Sequence, residues 1–564
     1  MIIGLDVGGT HTDAVLLDEE GLVRETKVLT DPANLFQTVL ACLESITADL
    51  EPNRIDRIVL STTLTTNAIV ERKLPPVGMI VSSGPGIDPL AHQTNPHYYP
   101  VEGSIDHRGR EVAPLNEKQI QSVADTLETS GIRNVGVVGK FSVRNPRHEF
   151  QIFEQIRNRF DRVFMGHQVS GGLNFARRIA TTYLNAAVYP IHHKFFDAVH
   201  RSLQEKGLAV PLSILKADGG TVSLTASMDF PGQTTLSGPA ASVMGAIGFT
   251  PPDRDAMVLD IGGTTTDMAV IRSGIPLLHP VGIRLGGFRT LIRSLETRSI
   301  GIGGDSAVRI IDGQIVIGPE REGPALAFGG PLPTPTDALI ALGWMTEGDQ
   351  RRAVQGIEAL AAALGRPREE TARSVFDHAC RAILAEAHEL VERINNRPVY
   401  TVQDLQSGDR VSPKALLILG GPAPFFARHL AAVSDYAVRT VPHWQVANAV
   451  GAALARTTCE VTLFADTQLG VAVAPEEDFS QSVDHRFTIE AAVQKAYELL
   501  KRKALHLGAG REELEMEILE EQQFNMVRGF RTTGKNMRIK VQVKPGLIAG
   551  CAAIVEKLAN LDRS

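Results

Sequence analysis

The chain opens with three short apolar runs, MIIGLDV, THTDAVLLD and LVRETKVL, separated by a Gly-Gly turn and by the turn EEG. Runs of this length, rich in branched aliphatic residues and bounded by glycine and charge, predict three consecutive strands within residues 1–30. The grammar returns after residue 255 as AMVLDIGG, then TTTDMAVI, then the turn RSGIP leading into LLHPVGI. A second three-stranded unit is therefore expected. A supersecondary unit that occurs twice marks an internal duplication.

Between the two units the pattern alternates. It predicts a helix over 35–50, strands at 57–61 and 77–82, a helix over 117–130 and a strand at 135–139. Residues 84–114 are rich in Gly, Pro, His and Tyr and read as a long irregular loop, a class often tied to function. A strongly helical stretch over 175–206 is expected to carry the chain into a second lobe. Further on, SIGIGGDS (Ser299–Ser306) is a glycine-rich turn, and helices are expected over 353–364 and 369–395. LLILGGPAPFFARHL (Leu416–Leu430) reads as a buried strand, a Gly-Gly-Pro turn and a helix. ANAVGAALA (Ala447–Ala455) reads as a small-residue helix suited to close packing. Beyond residue 464 the chain becomes more charged, with a helix over 489–507 and two strand-like runs. The expected division is 1–175, 176–460 and a small C-terminal α+β module, 461–564.

Composition narrows the function classes. At 564 residues the chain exceeds what one core serves, so two or three domains are expected. A net charge of −7 without basic blocks argues against a nucleic-acid partner. No apolar run reaches the length of a membrane span, and the start reads as a strand rather than a secretory signal. The four cysteines are far apart and form no CxxC pair, so they read as buried inert thiols in a reducing cytoplasm. No histidine pair has the spacing of a helical zinc site backed by a carboxylate.

The duplicated phrases, LDVGGTHTD (Leu5–Asp13) and LDIGGTTTD (Leu259–Asp267), carry the chemistry. Gly8-Gly9 and Gly262-Gly263 let backbone N–H groups approach an anion that a Cβ would obstruct. Thr10, Thr12, Thr264 and Thr265 add hydroxyl donors. Asp6 and Asp260 end apolar strands, where an unpaired carboxylate is costly. A hydrated Mg²⁺ shared with phosphates would offset that cost. Gly303-Gly304 and Gly420-Gly421 are candidates for further ligand-facing turns. GxxxxGK[ST] is absent, so a nucleotide site here is of another kind.

In order, LDVGGTHTD, LDIGGTTTD, LILGGP and ANAVGAALA resemble the phosphate loops, adenosine loop and connecting helix of the actin-like ATPases. TTLTTNAIVERK (Thr62–Lys73), NPRHE, ADGG, LSGPAASVMGA, SIGIGG and PTPTDA resemble the hydantoinase A/5-oxoprolinase family over roughly residues 1–460. That resemblance implies an α/β fold of two ribonuclease-H-like lobes with ATP and Mg²⁺ in the cleft between them. It implies ATP-dependent hydrolysis of a cyclic amide such as a hydantoin, 5-oxoproline or a lactam, or carboxylation in some relatives. A B-type subunit is the implied partner, with a homodimer as the other assembly considered. Two departures stand out. The segment after Lys73 lacks the family's Gly-Phe-x-Asp phrase, and Gly323–Leu326 lacks its cysteine.

On this reading Asp6 and Asp260 belong to the metal shell, and Asp13 or Asp267 orients an attacking oxygen. Thr63, Thr66, Asn67 and Glu71 are candidates for the substrate side. A small-molecule kinase on the same scaffold and a non-catalytic ATP-dependent activator are the alternatives.

Overall fold

The computed structural model describes residues 1–9, 11–31, 33–251, 253–397, 410–510 and 514–561. Thr10, one of the expected hydroxyl donors, lies outside the described residues.

Two sheets repeat one strand order. The first runs Gly21–Leu29, His11–Asp18, Ile2–Val7, Arg57–Thr62, Leu212–Leu215, Thr221–Ser223. The second runs Ile275–Pro276, Thr266–Arg272, Ala256–Ile261, Ala415–Leu419, Ala437–Thr440. In each, an antiparallel hairpin feeds a strand that pairs in parallel with a later one. These are the two actin-like lobes. The turn from His11–Asp18 into Gly21–Leu29 is made at Gly21 (φ +108°), where Asp18 Oδ1 accepts the Glu20 N–H. The third strand of the second unit departs from the sequence reading: LLHPVGI does not continue it. Ile275–Pro276 pairs briefly with Arg272 and Ile271, the chain leaves, and Thr297–Ile300 returns to pair with residues 266–269. Pro280 and Gly282 interrupt the run, and a proline supplies no N–H for a ladder.

The first lobe is interrupted after Arg57–Thr62 by a parallel four-stranded sheet, ordered Arg162–Met165, Asn134–Gly139, Gly78–Ser82, Tyr98–Pro100. Within the expected loop, Tyr98–Pro100 is therefore an edge strand, and Ser104–Ile105 pairs with Glu111–Ala113. Helix Phe175–Glu205 returns the chain to the first sheet instead of leading to the second lobe. It buries Phe195, Phe196, Val199 and Leu203 against Ile3, Leu5 and helix Leu35–Ile46. The first sheet thus takes in strands beyond residue 175, the expected division.

The C-terminal segment forms an antiparallel sheet, Phe479–Ser482, Val471–Ala474, Glu460–Asp466, Arg531–Val543, Met516–Arg528, backed by helix Ile489–His506. Its apolar face (Val461, Leu463, Ile539, Val541) joins the core of the first lobe. Helix Ala552–Leu561 docks Leu558 beside Val15, Leu17 and Val446. Burial of this kind stabilises by about 25 cal/mol per Å² of apolar surface, and it ties the module to the first lobe.

Two helices, Ser237–Ile247 and Ala447–Leu454, cross between the lobes at van der Waals contact. A Cβ on Gly451 would stand 2.1 Å from the Ala241 carbonyl oxygen, and one on Gly245 would stand 2.2 Å from that of Ala447. Gly4 of the first strand meets the same helix, 2.0 Å from the Ala449 oxygen by the same measure. Three glycines therefore set how closely the lobes' central elements approach. The four cysteines are unpaired, and three are buried. Among the described residues no helix is long and apolar enough to cross a membrane.

Candidate functional site

Each apolar strand ends in an aspartate facing another. In register, Asp6 lies opposite Asp13 and Asp260 opposite Asp267. Like charges directly opposite one another destabilise a sheet unless a cation or proton intervenes. The turns that follow are the same down to one hydrogen bond: Gly8 N–H donates to the His11 carbonyl at 3.0 Å, and Gly262 N–H to that of Thr265 at 2.9 Å.

The helix Ala447–Leu454 joins the two halves. Its single polar residue, Asn448, donates through Nδ2 to Asp6 Oδ2 (3.3 Å) and to Asp260 Oδ2 (3.4 Å). The two strand-end carboxylates therefore lie within two hydrogen-bond lengths of each other. Ser242, on the facing helix, donates to Asp260 Oδ2 at 2.5 Å. Neither Asn448 nor Ser242 was singled out by the sequence reading. The available signal was a lone amide in an otherwise apolar, small-residue helix.

All four carboxyls are held above their ordinary range, with burial as the largest cause. Asp6 is pushed up to about 6 by burial, against a hydrogen bond from Ser61. Asp267 reaches about 7 through burial and the neighbouring Asp260. Asp13 and Asp260 are raised in the same direction, Asp13 against an ion pair with Lys27 at 2.7 Å. Asp6 Oδ1 is buried with no hydrogen-bond partner among the described residues. Among those residues no cluster of three or more Asp, Glu, His or Cys is placed to hold a metal ion. The donor set suits an ion bound by one or two carboxylates and completed by water and phosphate oxygens, which is the habit of Mg²⁺.

The other glycine turns pack around the second phrase. Gly304 N–H donates to the Gly262 carbonyl (2.9 Å) and Asp305 N–H to that of Gly263 (2.6 Å). A Cβ on Gly303 would lie 2.5 Å from the Gly262 oxygen. Gly420 adopts φ +94°, and a Cβ there would meet the Ile261 oxygen at 2.3 Å and Asp260 Oδ1 at 2.7 Å. Gly421 has open space in that direction. Glycine at 303 and 420 thus lets two further loops pack against the second phrase, the latter beside Asp260.

The remaining expected residues divide. Thr264 and Thr265 lie half-buried on the second turn. Thr12 is fully buried and pairs its hydroxyl with Thr30 at 2.9 Å, turned from the carboxylates by strand alternation. Helix Leu64–Val70 begins at the first turn: Thr63 N–H donates to the Val7 carbonyl, and Asn67 Nδ2 lies 3.7 Å from where a Gly9 Cβ would be. Thr66 is structural, its hydroxyl accepting the Leu236 N–H at 2.8 Å. Leu236 sits at φ +59°, so this bond holds a strained helix start in place. Glu71 is not brought to the cleft. It lies at the far end of that helix, exposed and ion-paired with Lys73 at 2.6 Å.

The chain is similar to known proteins over most of its length. Residues 2–160 match the model for the hydantoinase/oxoprolinase N-terminal region, and residues 178–461 match that for hydantoinase/oxoprolinase. Caprolactamase subunit alpha of Pseudomonas jessenii is 26% identical over 61% of this chain and 55% of its own length. The acetophenone carboxylase gamma subunit of Aromatoleum aromaticum is 26% identical over 61% and 53%. The chain thus spans about half the length of the curated relatives it matches. Among solved structures, nucleotide-free acetone carboxylase superposes with TM-score 0.71 at 19% identity, covering 97% of this chain and 88% of that one. The ATP-dependent caprolactamase from Pseudomonas jessenii gives 0.70 at 20%, covering 97% and 87%.

Proposed function

From the chain's membership of the hydantoinase/oxoprolinase family, we propose that it is an ATP- and Mg²⁺-dependent hydrolase of a small cyclic amide. The observation that supports this reading best is the Asn448 bridge between Asp6 and Asp260. It couples two matching anion-shaped turns into one cleft, as a shared polyphosphate requires.

An amide carbonyl is a weak electrophile. Phosphorylating its oxygen from ATP, with ADP leaving, makes the carbon electrophilic. Water attacks that carbon, the ring C–N bond breaks as the nitrogen takes a proton, and a second water hydrolyses the resulting acyl phosphate to carboxylate and phosphate. In such transfers a protein mainly positions reactants and neutralises charge. Asp6 and Asp260 would hold Mg²⁺, which supplies positive charge to the phosphates when bound. With the Gly8 and Gly262 N–H groups closing the turns, those of Gly9 and Gly263 would meet phosphate oxygens, while Gly303, Gly304, Gly420 and Gly421 would shape the nucleotide's surroundings. Asp13 is committed to Lys27. Asp267, whose carboxyl titrates near neutrality, is better suited to accept a proton from the attacking water. Thr63 and Asn67 face the substrate beside the first turn. The relatives named above are called subunits, which supports a B-type subunit as partner.

The test is ATP turnover across a panel of hydantoins, 5-oxoproline and lactams, with and without a B-type subunit. Stimulation by one of them with a ring-opened product is expected. No stimulation across the panel refutes the reading. The acetophenone carboxylase gamma subunit matches with the same identity, which favours a second reading: carboxylation, revealed by turnover that requires bicarbonate and a ketone.

A further inference from the structure

A second charged site lies at the carboxyl edge of the first sheet, beyond the strand Leu212–Leu215. It is built from the ADGG phrase and from residues far away in sequence. Lys216 Nζ donates to the Thr458 carbonyl at 2.8 Å and lies 3.3 Å from Asp218 Oδ2, which also accepts from Thr458 Oγ1 at 2.8 Å. Arg293 reaches the same carboxylate (Nε, 3.3 Å) and Glu460 (Nη1, 3.5 Å). Lys503 pairs with Glu477 at 2.6 Å and approaches Glu476 at 3.8 Å, and Lys540 pairs with Glu460 at 3.0 Å.

All of these except Glu477 and Lys540 line a cavity of about 70 Å³. That is room for several water molecules or a small organic group, since one water needs about 10–15 Å³ on this measure, but not for a nucleotide. An open groove of about 700 Å³ adjoins it and shares Phe230, Glu476 and Lys503 with it. No residue of the glycine turns lines either space. The Arg293 guanidinium makes no hydrogen bond among the described residues, its ion pairs standing at 3.3 and 3.5 Å. A buried guanidinium whose donors lack hydrogen bonds is costly unless an acceptor meets them.

The guanidinium says which acceptor. Around the cavity Lys216, Arg293 and Lys503 face Asp218, Glu460 and Glu476. Burial disfavours the charged forms of Glu476, raised to about 7, and of Lys216, which is lowered, so the lining stays close to balanced. What sets the cavity apart is the Arg293 fork, whose N–H donors lack hydrogen bonds and match the two oxygens of a carboxylate.

We propose that this cavity is a binding site for the carboxylate of a small organic acid, received by Arg293 and reached through the outer groove. The inference goes beyond the proposed reaction and does not depend on it. Two sources share that chemistry: a cyclic amide that carries a carboxylate, and a free short-chain acid acting as effector.

Titration calorimetry and thermal shift on the full chain would compare 5-oxoproline, propionate and the uncharged ring 2-pyrrolidinone. Binding by either acid at millimolar concentration, at least about tenfold tighter than 2-pyrrolidinone, is the expected result. Binding of 5-oxoproline alone assigns the site to a ring-borne carboxylate, and equal binding of propionate assigns it to a free acid. Arg293→Lys, which keeps the charge and loses the fork, is expected to weaken acid binding about tenfold. An unchanged affinity for an ATP analogue would show that this variant is folded. Acids that bind no better than 2-pyrrolidinone, or equally well to folded Arg293→Lys, overturn the proposal. Arg293 lies outside the glycine turns, so the loss of acid binding in Arg293→Lys reports this cavity whatever the turnover panel shows, and a failure of the amide-hydrolase reading leaves that comparison intact.

Discussion

Replacing Asp6 by Asn should stabilise the protein while removing its proposed chemistry. In the folded chain the Asp6 carboxyl is raised from 3.8 to about 6, chiefly by burial. A difference of that size corresponds to about 3 kcal/mol charged against the folded state once the group is ionised. The sign follows from linkage. A carboxyl whose folded pKa lies above its unfolded one holds its proton more tightly when folded. Its favourable contribution is complete below about pH 4, is lost between about pH 4 and 6, and is gone above that. Asn does not titrate. In a chelating buffer the thermal midpoint of Asp6→Asn should therefore rise relative to wild type between about pH 4 and 6, then hold a constant lead. Adding Mg²⁺ with an ATP analogue should close most of that lead. A ligand at a hundredfold excess over its dissociation constant stabilises the form that binds it by about 2.7 kcal/mol, and the variant should lose most of that gain. Thermal unfolding followed across pH, with and without nucleotide, measures both effects. A difference that is flat with pH, or equal nucleotide stabilisation of the two proteins, would refute the reasoning.

Further outcomes follow from single contacts. Asp267→Asn should lower turnover by at least about a hundredfold, the size of a lost general base, with nucleotide affinity retained in equilibrium binding. Gly451→Ala places a Cβ 2.1 Å from the Ala241 oxygen, backbone against backbone. The helices must part, costing about 1–3 kcal/mol against a helix-propensity gain of about 1 kcal/mol, and both the thermal midpoint and nucleotide affinity should fall. Glu149 is fully buried and accepts from the Gly139 and His167 N–H groups and from His167 Nδ1, with the buried Arg178 nearby. Glu149→Gln strands that cation and should cost about 3–5 kcal/mol in denaturant unfolding. Thr66→Val leaves the Leu236 N–H without its acceptor and should cost about 1–3 kcal/mol, read in the same assay.

What the sequence by itself determined was local. The apolar runs and their turns specified both hairpins, because strand period and glycine turns act over a few residues. The same runs made the duplicated phrases visible, and with them Asp6, Asp13, Asp260 and Asp267, whose facing in pairs came only with the strand register. The helices expected over 35–50, 117–130, 353–364 and 369–395 were legible from apolar periodicity for the same reason, and form over Leu35–Ile46, Glu117–Thr129, Gln350–Leu364 and Arg368–Asn395. Tertiary structure decided what each element meets. Nothing local tells helix Phe175–Glu205 to fold back on the first sheet, or stops LLHPVGI from extending the second hairpin. Thr12 and Glu71 carry suitable groups, but the face of one strand and the far end of one short helix direct them elsewhere. Asn448 looked like one amide among small residues, and only the meeting of two lobes made it the bridge between two carboxylates. The cavity beside Arg293 draws on residues from 168 to 507, a constellation no periodicity encodes. Secondary structure is written in spacings of two and three to four residues, whereas a site is written in distances that exist only after the chain has closed on itself.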